Sequence, residues 1–274
     1  MTAVSEQTPR ESSGRILRPN WRILTPDASP PLFEGALNVS ILVPGQARDG
    51  RPVRVLRRYP KQNRHIFEAL AYEYDGIGFT ADGGRIRRRS RDEQHGFAKL
   101  AAEKGLRVLA PGINDRGLLE TVFLDQAEKL DEYLPHATDR QVALVTRDIF
   151  ADLYAAHRAG IIYGDRWAEN ILVSPVTGPV NIDFDIEISG PHAREFEAAQ
   201  IATYILGGAK SRAVPQLAGI LTHPYGRLDS RFTERYLRGH KRFYDADQKY
   251  GSIENEMESL ISLMHMTNHG IRPL

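Results

Sequence analysis

The chain has 274 residues, with 36 Lys and Arg against 35 Asp and Glu, a formal net charge of +1. That balance excludes a polycation held everywhere by nucleic-acid phosphate and an acidic disordered tail. Its 41% hydrophobic and 26% charged residues are globular values that supply a sizeable core, and the absence of cysteine removes disulfides, thiolate metal sites and cysteine nucleophiles.

Residues 1–20 are polar and lack an apolar signal core, which predicts a flexible tail on a cytoplasmic protein. No run of about 18 apolar residues predicts a membrane span. Asn38 to Val43 is a β-branched run, residues 45–50 read as a turn ending in Asp49-Gly50, and residues 51–59 read as the returning strand, so a hairpin is expected. The stretch 59–90 is less regular and closes on five arginines between Arg85 and Arg91. From about Arg89 to Lys104, the positions Glu93, Phe97, Leu100 and Lys104 share a helical face, and Gly105 is placed to stop that helix. Residues 106–112 and 118–124 are short strand candidates.

The strongest helix signal is residues 140–160. Val142, Val145, Ile149, Leu153 and Ala156 recur at helical spacing, and Gly160 follows. Three short β runs come next, IIYGD, NILV and VNIDFDIEI, the last two joined by a turn. From about His192 the chain reads as helical. A β-rich part with one helix thus precedes a mainly helical part with a small hairpin, an α+β chain in two lobes. The boundaries read as a tail over 1–20, an N-lobe over 21–124 and a C-lobe over 125–274.

Chemistry concentrates in one stretch. Asp165 and Asn170 are five apart, and Asp183 lies thirteen further on. A loop Asp, an Asn five later and an Asp on the next hairpin suit phosphoryl transfer from ATP. Mg²⁺ wants hard oxygen ligands, which Asn170 and Asp183 offer, and Asp165 would take or orient the acceptor proton. Asp185 either adds a second metal ligand or caps the following turn.

On the D-x4-N and IDFD residues and the preceding AAHRAGII, the chain resembles the protein-kinase-like superfamily. It looks closest to the compact branch with the aminoglycoside and choline phosphotransferases and the RIO-type kinases, over roughly residues 35–205. The resemblance implies a bilobal kinase-like fold, ATP and Mg²⁺ as cofactors, and transfer of the γ-phosphoryl group to a hydroxyl of a small molecule or a protein. It implies that Gly35 to Asn38 cover the phosphates and that Val39 or Ile41, with Val55, cover the adenine. Backbone groups of Phe123, Leu124 and Asp125 would meet the adenine edge. The family's strand lysine is missing here. Of Arg54, Arg57 and Arg58, strand alternation selects Arg57, which shares the more apolar face with Val53 and Val55. Glu93 is its expected partner, with Glu103 as fallback. Trp167 stands where many members carry Lys or His, so Arg166 is the cation offered to the transferred group, although a structural ion pair explains it equally well. His157 is expected to be structural.

DFD in place of DFG, the single glycine and the missing lysine also suit a nucleotide-binding pseudokinase scaffold, and AMP transfer on the same fold is a third reading. The clusters Arg85–Arg91 and Arg231–Arg242 read mainly as solvated faces with local carboxylate partners. Nucleic acid is the less favoured partner.

Overall fold

A computed structural model describes residues 21–23, 31–34, 38–47, 49–60, 64–223, 226–246 and 251–268. The expected tail at 1–20 and Gly35 lie outside these described residues. The architecture is α+β, β-rich at its N-terminal end and mostly helical towards its C-terminus. Strands β1 (Trp21–Ile23), β2 (Pro31–Glu34), β3 (Asn38–Ala47) and β4 (Pro52–Pro60) lead into helix α1 (Arg64–Ile77), strand β5 (Arg85–Arg88) and helix α2 (Arg91–Glu103). Strands β6 (Gly112–Ile113), β7 (Leu119–Val122) and β8 (Glu128–Lys129), the single turn α3 (Leu130–Tyr133) and helix α4 (Asp139–Arg158) follow. Then come β9 (Ile171–Ser174), β10 (Gly178–Asn181), β11 (Ile186–Ser189) and helices α5 (Ala193–Ala209), α6 (Val214–Leu221), α7 (Ser230–Ala246) and α8 (Glu254–Asn268). No helix among the described residues is long and apolar enough to cross a membrane.

The largest sheet runs β1-β3-β4-β7-β6, with β2 also on β3. The expected hairpin is its centre, antiparallel from Asn38 opposite Pro60 to Gln46 opposite Pro52. Its turn is held by Asp49, whose carboxylate accepts from the Arg51 backbone at 3.2 Å and from its guanidinium at 2.7 Å. Two helices, α1 and α2, precede Val122 where one was expected. Both bury residues in the main core with α4 to α8, whereas Ile41, Val43 and Val55 form a small separate cluster.

The long helix follows its sequence. Thr138 caps α4 in a capping box with Gln141, and Val142, Val145, Ile149, Leu153 and Ala156 are buried. In α2 the buried face is Gln94, Ala98, Ala101 and Ala102, while Leu100 is exposed. It is rotated by about one residue from the face expected through Glu93 and Leu100. Small alanines pack closely there, and Phe97 lies beneath a guanidinium instead of in the core centre.

The run VNIDFDIEI is not one strand. Strand β10 ends at Asn181, Asp183 turns the chain with φ 58°, and β11 leaves to pair with β5 in a separate two-stranded sheet. Asp is among the few residues that enter the left-handed region at modest cost. On a continuous strand Asp183 and Asp185 would share a face, and the turn at Asp183 removes that alternation.

The aromatic core joins α1 to the C-terminal helices. Phe196 on α5 lies 4.6 Å from the Tyr74 ring, 4.3 Å from Phe79, 5.3 Å from Tyr236 and 4.6 Å from His240. Helix α7 continues through Gly239, where a Cβ would meet Ile77 Cγ2 at 2.6 Å. The glycine thus serves close helix packing there and does not interrupt α7.

His240 is buried, and burial lowers its pKa from 6.5 to about 3, a hydrogen bond with the Phe196 backbone opposing. Because the folded value lies below the unfolded one, the unfolded chain takes up the proton first as pH falls below 6.5, and stability is lost on acidification. Between neutral pH and about pH 5 this amounts to about 2 kcal/mol. Urea unfolding of wild type and His240→Phe at both pH values should give a loss smaller by that amount in the variant. Equal losses would remove His240 as the cause.

Candidate functional site

The loop between α4 and β9 carries Asp165 and is fixed from below by α5. Glu197 and Gln200, three apart, face it from one side of that helix. Glu197 is fully buried. It accepts from the Gly164 N–H at 2.8 Å and meets His157 Nε2 at 2.7 Å, so His157 has the supporting place expected for it. Gln200 accepts from the Arg166 N–H at 2.6 Å and donates to Asp165 Oδ1 at 3.0 Å. Gly164 has φ 111°, and a Cβ there would lie 2.1 Å from the Ile186 carbonyl oxygen. Only glycine allows the loop and β11 to approach so closely.

Tyr74 on α1 donates its hydroxyl to Asp165 Oδ1 at 2.6 Å. Burial raises the Asp165 pKa to about 6, against the Tyr74 hydrogen bond, the Arg166 charge and the Gln200 hydrogen bond, with Asp183 adding a further rise. Burial and the Asp165 charge also raise Glu73, beside Tyr74, to about 7. Neither Tyr74 nor Gln200 was visible as a site residue in the sequence, since nothing near either marks a contact with a loop so far along the chain.

Asn170 donates Nδ2 to the Asp165 carbonyl at 3.1 Å, and its own carbonyl accepts from the Ile182 N–H at 2.9 Å. The side-chain amide oxygen remains for a ligand. Asp183 and Asp185 follow directly. Burial first, then the charge of Asp183, holds Asp185 well above the usual carboxylate range. Asp165, Asp183 and Asp185 thus lie within reach of one another's charge, and Asn170 is tied to the Asp165 carbonyl, so the four share one corner. No group of three or more His, Asp or Glu able to hold a metal occurs among the described residues. The corner offers two carboxylates and one amide as hard oxygen donors. That set fits Mg²⁺, which typically takes one or two carboxylates and completes its shell with phosphates and water.

Arg166 does not reach this corner. It is 1% exposed, and its guanidinium donates to the Asp165 carbonyl at 2.9 and 3.1 Å and to Asn181 Oδ1 at 2.6 Å. Asn181 donates to Asp152 at 2.8 Å, and Asp152 accepts from the Tyr163 hydroxyl at 2.6 Å. Arg166 is therefore a brace beneath the loop, and its expected role towards the transferred group is corrected to that.

The expected clamp is corrected as well. Arg57 pairs with Glu120 of β7 at 2.8 Å, both buried, and Asn114 also donates to Glu120 at 2.7 Å. Glu93 is an exposed helix-start residue. It accepts from the Ser90 N–H at 2.7 Å in a capping box and pairs with Arg87 at 2.8 Å. The cation that meets the corner is Arg58, with Nη1 2.7 Å from Asp183 Oδ1. Hence the face of β4 turned towards Asp183 is that of Leu56 and Arg58. Register adds Asn38, Ser40 and Leu42 from β3 and Leu119 and Thr121 from β7. Val39, Ile41 and Val55, expected over an adenine, lie on the opposite face. At the expected hinge, the Phe123 N–H bonds the Arg54 carbonyl at 2.8 Å, the Leu124 carbonyl accepts from the Ala127 N–H at 3.1 Å, and Asp125 pairs with Arg54. The first two groups are thereby spent within the chain.

Carboxylates engage part of each arginine cluster. Arg87 pairs with Glu187 and Glu93, Arg235 with Asp82, and Arg238 with Glu234 and Glu258. Arg89 is buried. One nitrogen of its guanidinium lies 3.2, 3.1 and 2.7 Å from the carbonyls of Tyr163, Phe184 and Ile186. Compared with known proteins, the chain matches no family model and no curated protein.

The two acidic partners offered for Arg57 can be separated by stability. Removing one member of a buried ion pair costs about 3–5 kcal/mol, whereas losing a cap costs about 1 kcal/mol. Urea denaturation should therefore show Glu120→Ala far more destabilised than Glu93→Ala. The reverse order would restore Glu93 as the partner.

Proposed function

We propose that the chain is an ATP-dependent phosphotransferase of the bilobal protein-kinase-like fold, transferring the γ-phosphoryl group to a hydroxyl acceptor. The observation that carries this reading is the convergence of Asp165, Asn170, Asp183 and Asp185 at one corner, facing Arg58 across the cleft. In this reading Asp165 takes the acceptor proton as the acceptor oxygen bonds to the γ-phosphorus and the bond to ADP breaks. Tyr74 and Gln200 hold one carboxylate oxygen, which orients the other. Asn170, Asp183 and Asp185 would hold Mg²⁺. Bound there, the ion would neutralise phosphate charge. Arg58 takes the clamp role first given to Arg57, and Leu42, Leu56 and Thr121 replace Val39 and Val55 as the apolar surface for a base.

One observation favours a second reading, a nucleotide-binding regulatory module without turnover: Arg58 pairs directly with Asp183 and competes for a metal ligand. ATP labelled at the γ or the α position separates the readings. Transfer of γ label to a metabolite or protein acceptor, reduced about 10²–10⁴-fold in Asp165→Asn, supports the phosphotransferase. Transfer of α label would make it an AMP transferase. Tight ATP binding without transfer, unchanged by Asp165→Asn, would sink both enzyme readings.

A further inference from the structure

Next to the corner is a second feature that the reading above leaves unused. A recess of about 460 Å³ opens between the central sheet and the start of α2, within the size range of small-molecule sites. Its lining includes Asn38, Arg58, Arg88, Arg91 and Leu119. A fourth lining arginine, Arg89, is spent on backbone carbonyls and Glu187, and the other three are engaged very differently. Arg58 pairs with Asp183, and Arg91 donates to the Gly117 carbonyl. Among the described residues, no hydrogen bond or close ion pair engages the guanidinium of Arg88, a half-buried residue. Its chain neighbours differ in this respect, since Arg87 and Arg89 are both paired.

The position of Arg88 is fixed by strand pairing. Its Cα faces that of Ile186 on β11, one residue beyond Asp185. The next backbone N–H, of Arg89, donates to the Asp185 carbonyl at 2.7 Å. Arg88 therefore sits beside the acidic corner, near enough for its charge to act on Asp185. Among the described residues, neither Arg88 nor Arg91 forms a hydrogen bond or close ion pair with a carboxylate. Charges withdrawn from water are normally paired, and like charges in one recess repel unless an anion joins them. Glu93, the one acidic side chain on the lining, is held by Arg87 and the Ser90 N–H.

We propose that this recess is an anion site in which Arg88, with Arg58 and Arg91, grips a multiply charged phosphate chain. Resting on the phosphotransferase reading, the ligand is the polyphosphate of the nucleotide. Arginine suits this task because its planar fork bonds two phosphate oxygens at once. Three arginines on two strands and one helix start would follow a chain of phosphates rather than a single one. Arg88 then replaces, from a strand outside the main sheet, charge that a lysine and a glycine-rich loop would otherwise supply.

Inorganic tripolyphosphate without metal is the probe, titrated calorimetrically into the full chain. Wild type should bind it, and Arg88→Gln should bind about tenfold more weakly, a difference of about 1.4 kcal/mol. Arg88→Lys should recover part of the loss. Arg85→Gln, an exposed position of the same strand, should bind as wild type. ATP should weaken in parallel with the probe. Equal binding by wild type and Arg88→Gln, or an equal loss in Arg85→Gln, would overturn the site. Loss of tripolyphosphate with ATP binding unchanged would overturn the nucleotide as its ligand. Absence of γ-label transfer alongside Arg88-dependent tripolyphosphate binding would instead count against phosphotransfer and leave the anion site standing.

Discussion

The Arg89 guanidinium is the joint on which the site depends. It leaves β5, a strand contributed by the N-terminal part of the chain. It ends among the carbonyls of Tyr163, Phe184 and Ile186, which belong to the Asp165 loop and the segment through Asp185. An uncapped carbonyl in that interior would be costly. Arginine can serve several at once because it carries five donors in one plane and stays protonated. Phe97 lies 4.0 Å beneath the guanidinium and Glu187 lies 3.3 Å from its Nε, so its charge is balanced without bulk water. The pairing of β5 with β11 and the close approach at Gly164 are both arranged around this one side chain.

Below the loop, the same logic appears with opposite sign. Glu197 is a buried carboxylate that holds the Gly164 N–H and His157, and Asp152 collects the Arg107 N–H, the Tyr163 hydroxyl and the Asn181 amide. Arg166 links these groups back to the Asp165 carbonyl. A buried charge is tolerated only when its bonds are satisfied, and here each buried charge fixes a length of loop backbone. The Asp165 carboxylate rests on this frame, and among the described residues Tyr74 and Gln200 bond its side chain. Rigidity is thus supplied by charges that never face the cleft, and Asp165 remains half-buried above them.

What the sequence made legible was local. The β3–β4 hairpin, the α4 helix with its apolar stripe and the stop at Gly160 all follow from short-range patterns, and so does the spacing of Asp165, Asn170 and Asp183. The errors came where two local patterns compete. Strand β4 carries Arg57 and Arg58 on opposite faces, and apolarity favoured Arg57. That face is apolar because it is buried against Ile41 and Val43, and it needed its own acid, Glu120. The face turned towards Asp183 is the more polar one. The Glu93 assignment could have been corrected from sequence alone, since Ser90-x-x-Glu93 is a capping-box signature. Helix α1 had no such signal. Tyr74 meets Asp165 across 91 positions of sequence, a separation no periodicity reports.

The charge balance explains why the cations are distributed as they are. The charge of Asp183 raises the pKa values of Asp165 and Asp185, and that of Asp165 raises Asp185 further, so nearby positive charge favours the ionised carboxylates. Arg58 supplies one cation from the sheet, and Arg88 stands near enough to favour ionisation of Asp185. The carboxylates of the corner and the arginines of the neighbouring recess thus lie side by side, joined by the Arg58–Asp183 pair. The near-neutral whole-chain charge therefore conceals a local separation of sign, acidic at the corner and basic in the recess beside it.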